Sequence, residues 1–141
     1  MKPIDCFDGK FAWLSNFFPC QVSHQGLLFQ SSEAAFQASK SIDMIERRKF
    51  TVVNAGKSKR MGRKIQIRSD WEEVKIEMMR EILQSKFSQN PELKSKLLAT
   101  GNAQLIEGNS WNDTFWGVCK GVGKNHLGNL LMEIRNSFKE E

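Results

Sequence analysis

Three residues with complementary chemistry, Glu33, Gln37 and Lys40, are spaced at positions i, i+4 and i+7. Residues at this spacing share one face of a helix, so a carboxylate, an amide and an amine are predicted to form a row. A carboxylate in such a row can activate water or stabilise a developing positive charge. The alternative is a solvated polar stripe, which is common on helix surfaces.

A second group of candidates lies in the segment from Leu105 to Arg135, which is too long and too rich in glycine for a plain connector. Its candidate residues are Glu107, Trp111, Asp113, Trp116 and Asn125. The carboxylates suit acid and base chemistry, and the indoles suit stacking on a base. Core packing is the alternative for both tryptophans. Glu107 is either a second acid or an exposed loop end, and Asn125 either binds a ligand or caps the last helix.

The excess positive charge is concentrated in one part of the chain. The net charge is +5, and residues 41 to 70 hold nine basic residues against three acidic ones. Such a concentration favours one bound anion over general adhesion to nucleic acid. Lys59, Arg60 and Arg63 follow a predicted helix start, where cations and free amides can hold phosphates. A solvated basic face is the alternative.

The elements that position these residues are mostly helical. VSHQGLLFQ predicts two short strands with a turn at His24 to Gly26, and Ser31 or Ser32 can cap the helix of Glu33. Further helices are predicted over residues 43 to 54, with Ile45 facing the core, from Asp70 to about Phe87, from Asn90 and after Asn125. Asp70 and Glu73 have the spacing of a capping box, and a short strand is predicted over Gln104 to Ile106. The pattern predicts an α+β fold, a mostly helical single domain over residues 1–141 with a small N-terminal β-hairpin or sheet.

Size and composition limit the class of protein. A chain of 141 residues with 40% hydrophobic content is expected to form one ordinary domain. It has no run of 18 apolar residues and no signal-like start, so a soluble, cytoplasmic protein is expected. Three widely spaced cysteines without a CxxC pair suggest neither a disulfide framework nor a zinc site.

An ordered set of motifs runs along nearly the whole chain. It comprises LSNFFP, SSEAAFQASK, AGKSKRMGRK, Trp71, KF, LLATG, D-x-x-W-G from Asp113 to Gly117, and G-x-N-x-L-G-x-x-L-M-x-x-R from Gly123 to Arg135. In content and order this set resembles the NADAR or YbiA-like family. A single one of these motifs would be weak evidence for the family, but the whole set in this order is specific to it.

The resemblance implies a compact α+β domain that hydrolyses N-glycosidic bonds without a metal or other cofactor. Two substrate classes are associated with such proteins: ADP-ribose attached to a nucleobase, notably guanine, and early phosphoribosyl intermediates of riboflavin synthesis. The expected partner is therefore a phosphate-bearing nucleotide or nucleoside-like substrate, free or within modified nucleic acid. No membrane partner is expected, and the oligomeric state stays open.

The same resemblance suggests roles for the candidate residues. We expect Glu33, Lys40 and Asp113 to be catalytic, with Lys40 acting either electrostatically or through a Schiff base. We expect the following residues to bind substrate: Gln37, Lys59, Arg60, Arg63, Glu107, Trp111, Trp116 and Asn125. Asp113 and Trp116 are expected to face the helix of Glu33 and Lys40.

The chain departs from the family pattern at several positions. Ala34 follows Glu33 where the family often has histidine, Phe29 stands where tryptophan is frequent, and Cys119 stands where glycine is common. The missing imidazole removes a possible acid, base or base contact. The alternative function is therefore a non-catalytic module that binds ADP-ribose, another nucleotide or RNA.

Overall fold

The computed structural model describes all residues from Met1 to Glu141. The chain divides into two compact units, one made of residues 16–90 and the other of residues 1–15 with 91–141. That a single domain covers residues 1–141 therefore stays a prediction.

The unit of residues 16–90 begins with a hairpin. Strands β1 (Val22–His24) and β2 (Leu27–Phe29) pair antiparallel, with Val22 opposite Phe29. Gln25 and Gly26 both have positive φ, 49° and 84°, as the tight turn of a two-residue hairpin requires. The predicted hairpin is confirmed, although His24 ends β1 and is not part of the turn.

Four helices follow in this unit: α1 (Ser32–Ala38), α2 (Met44–Arg48), α3 (Ala55–Gly62) and α4 (Trp71–Gln89), with a 3₁₀ turn at Lys49–Val52 after α2. The predicted cap of α1 is confirmed at Ser31, whose Oγ accepts the Ala34 N–H at 3.1 Å. Every residue of α1 is buried, because the helix contacts α3, α4 and the hairpin.

Two local predictions in this unit are wrong. Ile45 is 67% exposed and not part of the core, since α2 is only five residues long and none of them is buried. Asp70 does not cap α4 with its side chain. Its carboxylate accepts from Arg68 Nε at 2.6 Å, and this ion pair replaces the expected capping box.

The unit of residues 1–15 and 91–141 contains α5 (Pro91–Ala99), β3 (Gly108–Asn109), β4 (Val118–Cys119) and α6 (His126–Lys139), after an N-terminal 3₁₀ helix at Gly9–Leu14. β3 and β4 pair in parallel, and α5 packs on α6. The strand predicted near Gln104 is reduced to a single bridge between Leu105 and Ile4.

The fold class is confirmed, because the structure is a mostly helical α+β fold with a small hairpin near its N-terminus. None of its helices has the combination of length and hydrophobicity that crossing a lipid bilayer requires.

Candidate active site

The row on α1 is not a solvated stripe. Glu33 is 9% exposed and Gln37 is 6% exposed, which is unusual for such polar side chains. Gln37 Nε2 donates a hydrogen bond to Glu33 Oε2 at 2.7 Å. Because a hydrogen bond to a charged acceptor is comparatively strong, this amide holds the carboxylate in one orientation.

The close approach of α3 to α1 depends on a glycine. A Cβ at Gly62 would overlap Gln37 Oε1 and lie 2.7 Å from Gln37 Cδ. Gln37 Oε1 is buried and has no hydrogen-bond partner in the protein. A buried amide oxygen without a partner is rare enough to require an explanation, and a ligand donor would supply one.

Lys40 is half-buried at the end of this row. Burial lowers the pKa of its ammonium group, Glu33 opposes that change, and Lys59 and Arg63 lower the pKa further. The amine therefore has nearby charges of both signs. A lysine in such surroundings is neutral more often than a solvated one, which is a requirement for nucleophilic chemistry.

The basic helix α3 is capped by Asn54, whose Oδ1 accepts the Lys57 N–H at 2.9 Å. Lys59 is half-buried, and its Nζ lies 5.7 Å from the ring centroid of Phe17. Arg60 is exposed, with Nη1 3.7 Å from the position of a Cβ on Gly56. Lys59 and Arg63 are thus grouped with Lys40, whereas the Arg60 guanidinium lies along its own helix.

In the other unit, the backbone of Glu107 is held on both sides. Its N–H donates to Asn125 Oδ1 at 2.9 Å, and its carbonyl accepts the Val118 N–H at 2.8 Å. The side chain packs against Gly117, where a Cβ would lie 2.7 Å from Glu107 Cγ. This position is therefore fixed by β4 and by the start of α6.

The Glu107 carboxyl group sits in an unusual environment, because Oε2 is buried and has no hydrogen-bond partner. Burial, and then the negative charge of Asp113, raise the pKa of Glu107 to about 7. Glu107 is therefore a group that can hold or release a proton near neutral pH. The alternative of an exposed loop end is wrong.

Asp113 organises the turn that carries Trp116. Its Oδ1 accepts the backbone N–H groups of Phe115 at 3.2 Å and Trp116 at 2.9 Å. This pattern is an Asx turn, in which a short side chain replaces a backbone acceptor. One carboxylate oxygen of Asp113 is thus structural, while its charge acts on Glu107.

The two tryptophans differ in environment. Trp116 is half-buried and packs edge-on against Phe115, with ring centroids 4.9 Å apart, and against His126 at 6.3 Å. Trp111 is 61% exposed, so the core-packing alternative is wrong for it. An exposed indole on a turn remains available for stacking on a ligand.

Asn125 directly precedes α6 but does not cap it with its side chain. It adopts a left-handed backbone conformation with φ of 55°. Its Nδ2 donates to Leu105 O at 3.0 Å, while its Oδ1 accepts the Glu107 N–H. The capping interpretation is wrong, because the amide instead connects the start of α6 to the segment before β3.

Comparison with known proteins identifies the family. The profile of the NADAR domain matches residues 6–139. The chain belongs to the NADAR domain family. The NMR structure of the E. coli protein YbiA superposes on this NADAR protein with a TM-score of 0.88 and 36% identity, covering 99% of this chain and 86% of that one.

Two curated relatives carry functional names. The N-glycosidase YbiA of Escherichia coli (strain K12) is 40% identical over 131 residues, which cover 90% of this chain and 81% of that protein. A riboflavin biosynthesis protein of Vibrio vulnificus (strain YJ016) is 37% identical over 137 residues, which cover 94% of this chain. The chain spans only 37% of the Vibrio protein's length.

The candidates of this NADAR protein thus form two groups. Glu33, Gln37, Lys40, Lys59 and Arg63 lie in the unit of residues 16–90, and Glu107, Asp113, Trp116 and Asn125 lie in the other. That both groups act on one substrate, with Asp113 and Trp116 facing α1, stays a prediction.

Sequence reasoning missed Asn109, which organises the loop after Glu107. Its Oδ1 accepts the N–H groups of Trp111 at 3.3 Å and Asp113 at 3.1 Å, and its Nδ2 donates to Asp113 O at 2.9 Å. The available signal was its position two residues before Trp111 and four before Asp113, which suits an Asx turn.

Sequence reasoning also missed the burial of Lys86, which belongs to the KF motif. It is fully buried, and burial lowers the pKa of its ammonium group to about 8. Its Nζ lies 5.3 Å from the ring centroid of Phe87 and 5.9 Å from that of Phe18. The burial of this lysine is not visible in a one-dimensional pattern, because one of the rings beside it, Phe18, is far away in sequence.

Proposed function

We propose that this NADAR protein is an N-glycosidase that hydrolyses the bond between ribose C1′ and nitrogen in a phosphate-bearing substrate. The proposed substrate is either guanine-linked ADP-ribose or a phosphoribosyl intermediate of riboflavin synthesis. The observation that carries the proposal is the buried Glu33–Gln37 pair beside a half-buried lysine and two further cations. Relatives named N-glycosidases support this class of enzyme for the chain.

The carboxylate of Glu33 matches the electronic demand of the reaction. When the bond from C1′ to nitrogen breaks, the electron pair leaves with nitrogen and positive charge develops on the sugar. A carboxylate held in a site of low polarity stabilises that charge far more than it would in water. The hydrogen bond from Gln37 keeps Glu33 in position, so little reorganisation is needed during the reaction.

Lys40 has two possible roles in this proposal. As a cation it would stabilise the charge on the leaving group or on a phosphate. As a neutral amine it would attack C1′ and displace the base, which leaves with the bonding electron pair and takes up a proton. The ribose ring then opens at C1′ to give a Schiff base, which water hydrolyses to free the sugar and Lys40; the lowered pKa of Lys40 supports this route. The two roles differ in outcome, because only the second leaves a covalent adduct that borohydride can reduce.

Glu107 is proposed to supply a proton to the leaving nitrogen. With a pKa of about 7, a substantial fraction of its carboxyl groups is protonated at neutral pH. The nitrogen takes the Glu107 proton as the C1′ bond breaks, water adds its hydroxyl to C1′, and the proton released from water restores Glu107. Burial, and then the negative charge of Asp113, favour that proton on Glu107.

The remaining candidates are proposed to hold the substrate. Lys59 and Arg63 add positive charge beside Lys40, and Arg60 extends it along α3, which suits a phosphate or diphosphate. Trp116 and the exposed Trp111 are proposed to stack on the base. Each such contact contributes about 1 to 3 kcal/mol in comparable settings.

The proposal is tested by offering purified protein both substrate classes and separating the products by chromatography. We expect release of free ADP-ribose from ADP-ribosylated guanosine, or of ribose 5-phosphate from the phosphoribosyl intermediate. Lys59→Ala should raise KM more than it lowers kcat, because phosphate binding contributes equally to ground and transition states. Folded protein that binds ADP-ribose by calorimetry but releases no product would instead support a non-catalytic binding module.

A further inference from the structure

An open cavity of about 490 Å³, closer in shape to a surface groove than to an enclosed pocket, lies in the unit of residues 1–15 and 91–141. The residues lining it come from the N-terminal segment, the 3₁₀ helix at Gly9–Leu14, and α5 with the turn after it. None of them has a role in the proposed reaction. Its volume lies within the range of about 300 to 1,000 Å³ that is typical of small-molecule sites.

The floor of the cavity is apolar and includes a buried indole. Trp13, Ile4 and Ala103 line it, with Trp13 only 6% exposed. The Trp13 indole N–H already donates to the Lys10 carbonyl at 3.1 Å. Because this donor is satisfied, the indole can contact an apolar or aromatic ligand without leaving a polar group unpaired. Phe11 adds a second, half-buried ring.

The charged lining of the cavity has one sign. Lys2, Lys10 and Lys96 contribute amines, and no aspartate or glutamate lines the space. All three lysines are exposed, and none of them is paired with a carboxylate. Lys10 Nζ instead lies 5.2 Å from the Phe11 ring centroid. Three amines without carboxylate partners around an apolar floor favour an anion.

The one hydroxyl in the lining is already engaged. Thr100 Oγ1 donates to Leu97 O at 2.6 Å and accepts from Arg135 Nη1 at 2.9 Å. The polar side chains of the lining that remain for a ligand are therefore the three lysines. A ligand that fits has an anionic head for the lysines and a flat, weakly polar body for the floor.

We propose that this cavity is a second binding site, for a nucleoside monophosphate or a compound of the same chemistry, a planar ring joined to a phosphate. The phosphate lies among Lys2, Lys10 and Lys96, and the ring lies on Trp13 and Phe11. The site shares no residue with the proposed glycosidase groups, so it stands or falls independently of them.

The test is a titration of the full chain with GMP, followed by the indole N–H signals in a proton–nitrogen correlation spectrum. The chain has four tryptophans, and Trp13→Phe identifies the Trp13 signal. GMP bound elsewhere leaves that signal in place. We expect a saturable shift of the Trp13 signal with GMP and a much weaker response to guanosine, which lacks the phosphate.

Charge reversal at the cavity provides the matched comparison. Lys10→Glu with Lys96→Glu should weaken the affinity for GMP, measured at the Trp13 signal, by about tenfold or more. The reason is that carboxylates replace two of the three cations around the phosphate. Lys57→Glu with Lys64→Glu changes the net charge equally in the other unit and should leave the effect unchanged. Both pairs are exposed, and the dispersion of the spectrum shows whether each variant is folded.

Three results would overturn the proposal. One is a Trp13 signal that does not move at millimolar GMP. Another is an equal response to guanosine, which would remove the phosphate from the argument. The third is an unchanged titration in the Lys10 and Lys96 variant; if that double variant does not fold, Lys96→Gln is measured in its place.

Discussion

Glu33 and Glu107 both have largely buried side chains, but their carboxyl groups differ in hydrogen bonding. Glu33 Oε2 accepts a hydrogen bond from Gln37 Nε2 at 2.7 Å, which fixes the orientation of the carboxyl group. Glu107 Oε2 is buried and has no hydrogen-bond partner. Burial, and then the negative charge of Asp113, favour the neutral form of Glu107 and raise its pKa. A carboxyl group that is neutral near pH 7 is able to act as a general acid.

At the level of single residues, Glu107 predicts how kcat depends on pH. The pKa of Glu107 is raised to about 7, so its protonated fraction falls as pH increases through neutrality. If that proton is delivered to the leaving group, kcat should fall on the alkaline side of about pH 7. Glu107→Gln should remove this dependence and lower kcat by about 10²- to 10⁴-fold.

The measurement is the pH–rate profile of both proteins between pH 5 and about 9, covering both sides of that pKa. Glu73→Gln is a suitable control, because Glu73 is exposed in the first turn of α4. If Glu107→Gln keeps the alkaline decline in kcat that the wild type shows, another group is responsible for it.

At the scale of elements, α1 and α3 meet through the side chain of Gln37 and the bare backbone of Gly62. Gly62→Ala would drive the new methyl group into the Gln37 amide, which must then shift and weaken its bond to Glu33. We predict a loss of stability of about 1 to 3 kcal/mol and a clear fall in kcat. Denaturant unfolding and initial rates measure the two effects.

Gly56→Ala on the same helix is the matched control. Its Cβ would meet its nearest neighbours, Arg60 and Asn54, at an ordinary 3.7 Å. Alanine favours a helix by up to about 1 kcal/mol over glycine, so this variant should be as stable as the wild type or more so. If Gly62→Ala and Gly56→Ala have equal stability and equal kcat, the tight contact at Gly62 is contradicted.

The start of α6 depends on Asn125 in a comparable way. Asn125→Ala removes two hydrogen bonds to the backbone around Glu107 and places alanine at a positive φ. We predict a loss of about 2 to 4 kcal/mol in the free energy of unfolding. Asn125→Gly removes the same bonds without the backbone strain, so it should recover about 1 kcal/mol of that loss.

Chemical denaturation of the three proteins at one pH separates these contributions. If Asn125→Ala is as stable as the wild type, the side chain does not hold the loop, and a ligand-binding role becomes the better account of its amide.

At the scale of the whole chain, the elements that follow from local rules were predictable. The hairpin was visible in VSHQGLLFQ, because Gln25 and Gly26 suit its turn, and Ser31 was recognised as a cap. The motif order also led to the right family, whose match runs through both units.

The incorrect predictions share one physical cause. Each side chain interacts with a partner that the local sequence pattern does not reveal. Asp70 has the position of a cap but pairs with Arg68. Asn125 also has that position, but it bonds to Leu105 and Glu107, some twenty residues earlier. The burial of Glu33 and Gln37 could not be read from a polar stripe, since it depends on α3 packing at Gly62.

The most direct test of the central claim compares the wild type with Glu33→Gln on ADP-ribosylated guanosine and on the phosphoribosyl substrate. Glutamine preserves the size of the side chain but removes the charge that stabilises the sugar cation. We predict product release by the wild type from at least one substrate, and a rate about 10³-fold lower for the variant. A folded Glu33→Gln protein that reacts as fast as the wild type would contradict the account.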